Sequence, residues 1–326
     1  MINSTSPSTE LRFSVGILYL LINTLGISTY TIIIWTIIKF KQDFVHPFYV
    51  LVWHLAAADL GYMTINLVVA VPQTFTASSI YPDWLSTLLA TGNSFFFFPL
   101  FLITLLIGFN RFSCVLLPAV NELLFAYKRT KAIALCTWLV SLGLTLLHSA
   151  TGCLKAFNFN TFRFVFYCTG PFIMLGYLYL VMRVLIVMLI VEYTVLFLYI
   201  RLQSNNPLLL QATDSREEEL RKQRERRILV QATLICTILV ANHFSFTVLP
   251  LFVTHQFANI LTTIAGTLNS AINPIVFYCF NSQMREKINN LLNGNHTLPN
   301  KAKHSATEPA KPDQDQKADE AVIQEL

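Results

Sequence analysis

The side chains able to do chemistry lie inside or at the ends of apolar segments. Asp59 stands in Leu55-Ala56-Ala57-Ala58-Asp59-Leu60, and Asn269-Ser270-Ala271-Ile272-Asn273-Pro274 lies in a second segment. Asn110-Arg111-Phe112 closes a third, and Arg183 and Glu192 occupy a fourth. Hydrocarbon offers such groups no partner, so inside a membrane each marks a functional site by default. Asn269 and Asn273 are four apart, on one helix face. Pro274 removes an N–H and frees a carbonyl one turn back, which permits a kink. An acid in one helix and two amides beside a proline in another can satisfy each other directly, through water, or through a sodium ion near Asp59; a purely structural polar clamp is the plainer reading. Arg111 sits where its helix leaves the lipid, either as an anchor snorkelling to the headgroups or as a working part. Covalent catalysis has no support, since Gly-x-Ser-x-Gly, intramembrane aspartate pairs and His-Glu-x-x-His are absent.

The elements that must position these groups follow from composition. The chain has 326 residues, 54% hydrophobic and 13% charged, with 26 Phe. A soluble domain carries about a quarter charged residues, so lipid solvates most of this one. Gaps between formal charges predict an all-α bundle of seven transmembrane helices, at about 13–38, 48–72, 84–112, 132–152, 171–200, 228–254 and 257–280. At about 1.5 Å per residue each crosses a core of about 30 Å. With the amino terminus outside, every Lys and Arg falls on the inner side except Arg12, Lys155, Arg163 and the intramembrane Arg183, a bias that sets the orientation. Residues 1–12 are then extracellular, with Asn3 in Asn3-Ser4-Thr5 as a glycosylation acceptor. Residues 281–292 place Met284 and Ile288 on one face of a short amphipathic helix lying on the inner leaflet. Residues 293–326 lack a hydrophobic period and are predicted to be a disordered cytoplasmic tail. The basic run that opens the sixth span suits acidic lipid headgroups. Six cysteines show neither C-x-x-C nor metal spacing, and no metal site is predicted. Cys153 and Cys168 share a polar loop between spans four and five and, if that loop is extracellular, can close a disulfide.

Leu-Ala-Ala-Ala-Asp in the second span, Asn-Arg-Phe closing the third, basic residues opening the sixth and Asn-Ser-x-x-Asn-Pro-x-x-Phe-Tyr in the seventh together resemble a rhodopsin-like G-protein-coupled receptor. The Phe richness and the phrase Gly-Phe-Asn-Arg-Phe are similar to nematode chemoreceptors of serpentine receptor class X, over Phe13 to Leu292. The resemblance implies a multi-pass receptor of the plasma membrane, in a sensory cell of its cilium, that binds a small molecule and activates a heterotrimeric G protein, with no nucleic-acid partner. It implies a coupling face of Asn110, Arg111, Phe112, Arg226 and Arg227. It implies an interior polar network of Asp59, Asn269, Ser270, Asn273, Pro274 and Tyr278.

Departures from that pattern are equally specific. Asn110 stands where the family carries an acid beside the arginine, so the usual ion pair cannot form and higher basal activity follows. Phe277 stands where the motif has tyrosine, with Tyr278 one place late. The asparagine expected near Tyr30 is missing, as are the cysteine expected near Ser86 and the Cys-Trp before Pro250. Asn93 takes the place of an amine receptor's aspartate and Thr267 that of the retinal-binding lysine, which disfavours aminergic and opsin readings. Asn93, Phe96, Phe97, Tyr177, Arg183, His243 and Phe246 then offer a mostly aromatic ligand pocket, though phenylalanines pack against lipid equally well. Arg183 meets either a ligand carboxylate or sulfate or a protein partner. The alternative function is a seven-span ligand-gated channel or transporter that uses Asp59, Arg183 and Glu192 as a polar path.

Overall fold

The computed structural model describes residues 7–293 apart from 170–172, 205–229, 231–232, 247, 250–251 and 253–254. Asn3, Arg226, Arg227, Pro250 and the tail from 294 onward lie outside the described residues. Among the described residues, six helices are long and apolar enough to cross a membrane: Thr9–Lys39, Pro47–Thr76, Asp83–Leu116, Tyr127–Ala150, Ile173–Ser204 and His255–Phe280. A shorter apolar helix, Thr233–Phe246, lies between the last two. In chain order these are spans one to seven below. The chain divides into Met1–Asn289, which carries the bundle, and Asn290–Leu326, of which only the end of one helix is described.

Local chemistry sets the helix ends. Ser8 caps the first span by accepting the Leu11 N–H at 3.3 Å. His46 Nδ1 accepts from the Phe48 N–H at 3.2 Å while Pro47 occupies the first turn of span two. Asp83 opens the third span with a negative charge at the positive end of the helix. The fourth span begins at Tyr127, ahead of the predicted 132, and so includes Lys128, Arg129 and Lys131. Long basic side chains reach water from inside a helix end, so charge gaps understate helix length.

The second, third and seventh spans form the centre. Of the most apolar stretch of the seventh, 67% is buried, and of the third 56%, against 22% for the fifth. Leu51, Leu55, Phe101, Ile103, Ile107 and Phe277 build the core, and the outer spans turn residues such as Trp35, Leu139 and Val187 outward. Gly26 permits a close approach of spans one, two and seven, since a Cβ there would lie 2.5 Å from the Met63 sulfur and 3.0 Å from the Ala271 Cβ. Within span two, Asn66–Ala70 makes a π-helical turn ahead of Pro72, which has no N–H to continue the ladder.

Where the sequence predicts only a polar loop between spans four and five, the structure has a β-hairpin. Strand β1 (Cys153–Asn158) pairs antiparallel with β2 (Arg163–Cys168), with Cys153 opposite Cys168 and the two joined by a disulfide. At the turn, Phe162 adopts a left-handed φ of 56° and buries its ring among Val15, Tyr19, Val69 and Ile260. Its carbonyl accepts hydrogen bonds from Tyr19 Oη at 3.0 Å and Thr263 Oγ1 at 3.1 Å. The hairpin tip is thereby tied to spans one and seven.

At the opposite end of the bundle, helix Ser282–Leu292 buries Met284 and Ile288, and Asn281 Oδ1 caps it by accepting the Met284 N–H at 3.0 Å. Lys287 pairs with Asp43 at 2.7 Å, which ties this helix to the turn between spans one and two.

Candidate functional site

Three polar clusters are stacked through the bundle. The middle one is built on Asp59, fully buried in span two. Its Oδ2 accepts a hydrogen bond from the Tyr30 hydroxyl and another from Asn273 Nδ2 at 2.8 Å, which joins spans one, two and seven. Asn269, Ser270 and Asn273 are all buried on the seventh span. Ser270 Oγ faces the same carboxyl without a hydrogen bond of good geometry, and Asp59 Oδ1 and Asn273 Oδ1 are buried without a partner. Pro274, inside the helix, leaves the Ser270 carbonyl without its usual N–H donor.

Tyr278 does not belong to this cluster. It is 37% exposed and its hydroxyl donates to Asn289 Oδ1 at 3.1 Å. Phe277 takes the inward position, and the next residue points about 100° away around the helix. The group missing from span one is supplied by Tyr30, while Asn23 turns its amide onto its own helix, donating to the Tyr19 carbonyl at 2.7 Å. His54, also on span two, accepts from Trp138 Nε1 at 3.1 Å across to span four.

The second cluster surrounds Arg111, which is only 6% exposed. Its Nη2 donates to Asn110 Oδ1 at 2.7 Å, and its guanidinium lies 4.6 Å from the centre of the Phe48 ring. Asn110 Nδ2 in turn donates to Asn121 Oδ1 at 3.1 Å, and Ser113 Oγ donates to the same oxygen at 3.2 Å. Asn121 lies on Pro118–Leu124, a short helix immediately after span three. An amide therefore orients the arginine where an acid was expected, and it ties the arginine to the following helix as well. Phe112 is half-buried and stacks near Phe109, with ring centres 6.4 Å apart. Arg226 and Arg227 lie outside the described residues.

The third cluster lies under the hairpin. Lys155 on β1 reaches into the bundle, donating to Asn93 Oδ1 at 2.7 Å and to Ser94 Oγ at 3.0 Å. Asn93 Nδ2 donates to Asn66 Oδ1 at 3.2 Å, and Asn66 Nδ2 to Thr267 Oγ1 at 3.5 Å. The π-helical turn of span two begins at Asn66, so the bulge aims this amide. The rings of Phe164 and Phe166 flank the ammonium at 5.6 and 5.1 Å. The stem of Lys155 keeps some exposure while its ammonium is enclosed, and that desolvation pushes its pKa down to about 7.

Stability then depends on pH with a definite sign. The unfolded lysine titrates near its ordinary value of about 10.4. From about pH 7 up to that value the unfolded chain binds the extra proton, so stability rises with pH. Below about 7 both states are charged and the dependence from this group vanishes. Lys155→Met is expected to flatten the rise between pH 7 and 9 in thermal unfolding of the detergent-solubilised chain.

The residues offered as a ligand pocket divide. Asn93 is buried in the third cluster, and Phe97 packs inward against Tyr62 at 6.4 Å. Phe96 turns toward span four, against Trp138 at 6.1 Å. Tyr177 is 61% and Phe246 42% exposed, Arg183 is exposed and His243 is half-buried. A Cβ on Gly108 would lie 3.1 Å from Glu192 Oε2, which places that carboxylate against span three, one turn before Arg111. Arg183, Asp59 and Glu192 thus occupy separate surroundings. The residues that sequence reasoning did not place in a site are Tyr30, Asn66, Ser94, Asn121, Thr267 and Lys155. Asn66 carried a signal, since it is an amide inside a span, but a reading by formal charge skips it.

Comparison with known proteins agrees with this architecture. The profile of the serpentine type 7TM GPCR chemoreceptor Srx family matches residues 20–281. Comparison with curated proteins gives no match. Among solved structures, the chain is similar to squid rhodopsin with a TM-score of 0.75 at 14% identity, covering 90% of this chain and 88% of that one. The likeness at that identity is one of fold. With seven apolar helices in the rhodopsin arrangement and a profile match over most of its length, the chain belongs to the Srx family of seven-transmembrane chemoreceptors.

Proposed function

We propose that this multi-pass receptor binds a small ligand from the extracellular side and activates a heterotrimeric G protein through the Arg111 face, in the plasma membrane of a sensory cell and its cilium. The carrying observation is Arg111 itself: a buried cation at the foot of the third span, oriented by Asn110 and seated on Phe48. A charge held by an amide and a ring is released at lower cost than one held by a carboxylate. Movement of the sixth span would open a cavity beneath it, and a ligand drives that movement only through different affinities for the closed and open states. Arg226 and Arg227, which lie outside the described residues, are assigned to the same coupling role on their sequence alone. Asp59 Oδ1, Asn273 Oδ1 and Ser270 Oγ are buried oxygens of the kind that a sodium ion takes, and such an ion would supply a positive charge beside the buried carboxyl.

The test is a G-protein reporter in cells screened against volatile and water-soluble metabolites, with an amino-terminal epitope labelled on intact cells. Ligand-evoked current without G protein, or an epitope reached only after permeabilisation, would overturn the reading. In the same assay Asn110→Asp is expected to lower ligand-independent signalling several-fold. The bond to Arg111 already has a charged donor; an aspartate adds a charged acceptor and so a full ion pair, from which the restrained state gains.

A further inference from the structure

Beside Lys155 lies a small cavity of about 10 Å³, lined by Ser94, Thr145, His148, Ser149, Lys155 and Phe166 among others. That space suits one water or one monatomic ion. Thr145 and Ser149 donate their hydroxyl protons to carbonyls of their own helix, at 2.7 and 3.1 Å, so neither supplies a donor here. Besides the Thr91 hydroxyl, which also lines the space, three other groups can. An ammonium has three N–H donors, of which Lys155 spends two on Asn93 and Ser94. Ser94 accepts from Lys155 and so keeps its own proton to give. His148 is buried, 4.8 Å from the Phe166 ring, and its Nε2 has no hydrogen-bond partner. Among the described residues no carboxylate pairs with Lys155, whose partners are neutral oxygens and aromatic faces. An enclosed cation without a counter-ion is costly, and a donor-rich pocket at its side is where the missing charge belongs.

We propose that this cavity is an anion site in which Lys155, Ser94 and His148 hold one small anion, either free halide or the carboxylate end of the receptor's ligand. The two sources share one chemistry but differ in fit. A halide enters the cavity as it stands, whereas a carboxylate brings a carbon chain past Phe166 and requires the hairpin to shift. The carboxylate arm rests on the receptor reading above, and the halide arm is independent of it. Only Lys155 and His148 titrate at the site, since spans three and four and strand β2 otherwise present hydroxyls, amides and rings. An anion favours the protonated forms of both, so it binds more tightly as pH falls from 8 to 6.

The experiment is thermal unfolding of the full-length receptor in detergent, with no G protein present, at constant sodium concentration. Chloride, bromide and butanoate are each titrated against gluconate, whose anion is too bulky for the cavity. The expected result is a saturable rise in Tm of several degrees with one of these anions, larger at pH 6 than at pH 8. Lys155→Gln is expected to remove it, and His148→Phe or Ser94→Ala to weaken the apparent affinity about tenfold, one charge-assisted hydrogen bond's worth. A rise with halide assigns the free ion, and a rise with butanoate alone assigns the ligand's carboxylate. Equal Tm in all four salts means that a water fills the cavity and overturns the proposal, as does a rise that survives in both Ser94→Ala and His148→Phe. Because these readouts need no signalling, failure of the receptor reading leaves the halide result intact.

Discussion

Arg111→Ala is expected to reduce ligand-dependent G-protein activation by about 10- to 100-fold, the loss of one or two charge-assisted hydrogen bonds. Ligand affinity measured without G protein should stay within about threefold, because Lys155 and Asn93 belong to a separate cluster under the hairpin. The substitution also removes the cation from the Phe48 face and frees Asn110 Oδ1. Cell-surface abundance must therefore be measured alongside. Arg111→Lys separates the two contributions: it keeps the charge but has no planar fork, so it should restore abundance and only part of the signal. Full signalling by Arg111→Ala at normal abundance would remove the coupling mechanism.

Asp59→Ala is expected to be the most damaging single change to the bundle. The carboxylate is the shared acceptor for Tyr30 and Asn273, so its loss leaves two buried donors on two different spans. Hydrogen bonds between membrane helices contribute about 1–2 kcal/mol each, which puts the cost at about 2–4 kcal/mol. A fall in Tm of several degrees and poor delivery to the cell surface are the measurements. Asp59→Asn retains an acceptor oxygen of the same shape and should recover most of the stability. If that variant is as unstable as Asp59→Ala, the charge and not the geometry holds the three spans together. Tyr30→Phe deletes one donor with its bond and should cost less than half as much.

How far the sequence carries depends on whether a residue's signal is charge or company. Span count, the burial of Asp59 with Asn273, and the buried arginine at the foot of span three are legible because lipid makes every charge and amide conspicuous. Tyr30 was illegible, since a tyrosine in a span reads as an interfacial aromatic until the structure shows its hydroxyl on a carboxylate. Asn110 was read by what it lacks, whereas its link to Asn121 depends on a short helix that no periodicity predicts. The aromatic pocket list fared unevenly because phenylalanine is equally at home against lipid and against another helix, so Phe96 and Phe97, adjacent in the chain, go to different neighbours. Lys155 was counted only as one of three outward charges. Its role comes from the hairpin, whose register turns it toward Asn93.

The hairpin tip carries one more implication, for time and not for affinity. Because the Phe162 carbonyl is fastened to helices on opposite ends of the sequence, through Tyr19 and Thr263, the tip lifts off the bundle only as often as those two hydrogen bonds let go together. For a molecule that had to pass beneath the tip, arrival and departure would be throttled by the same event, leaving the dissociation constant unaltered.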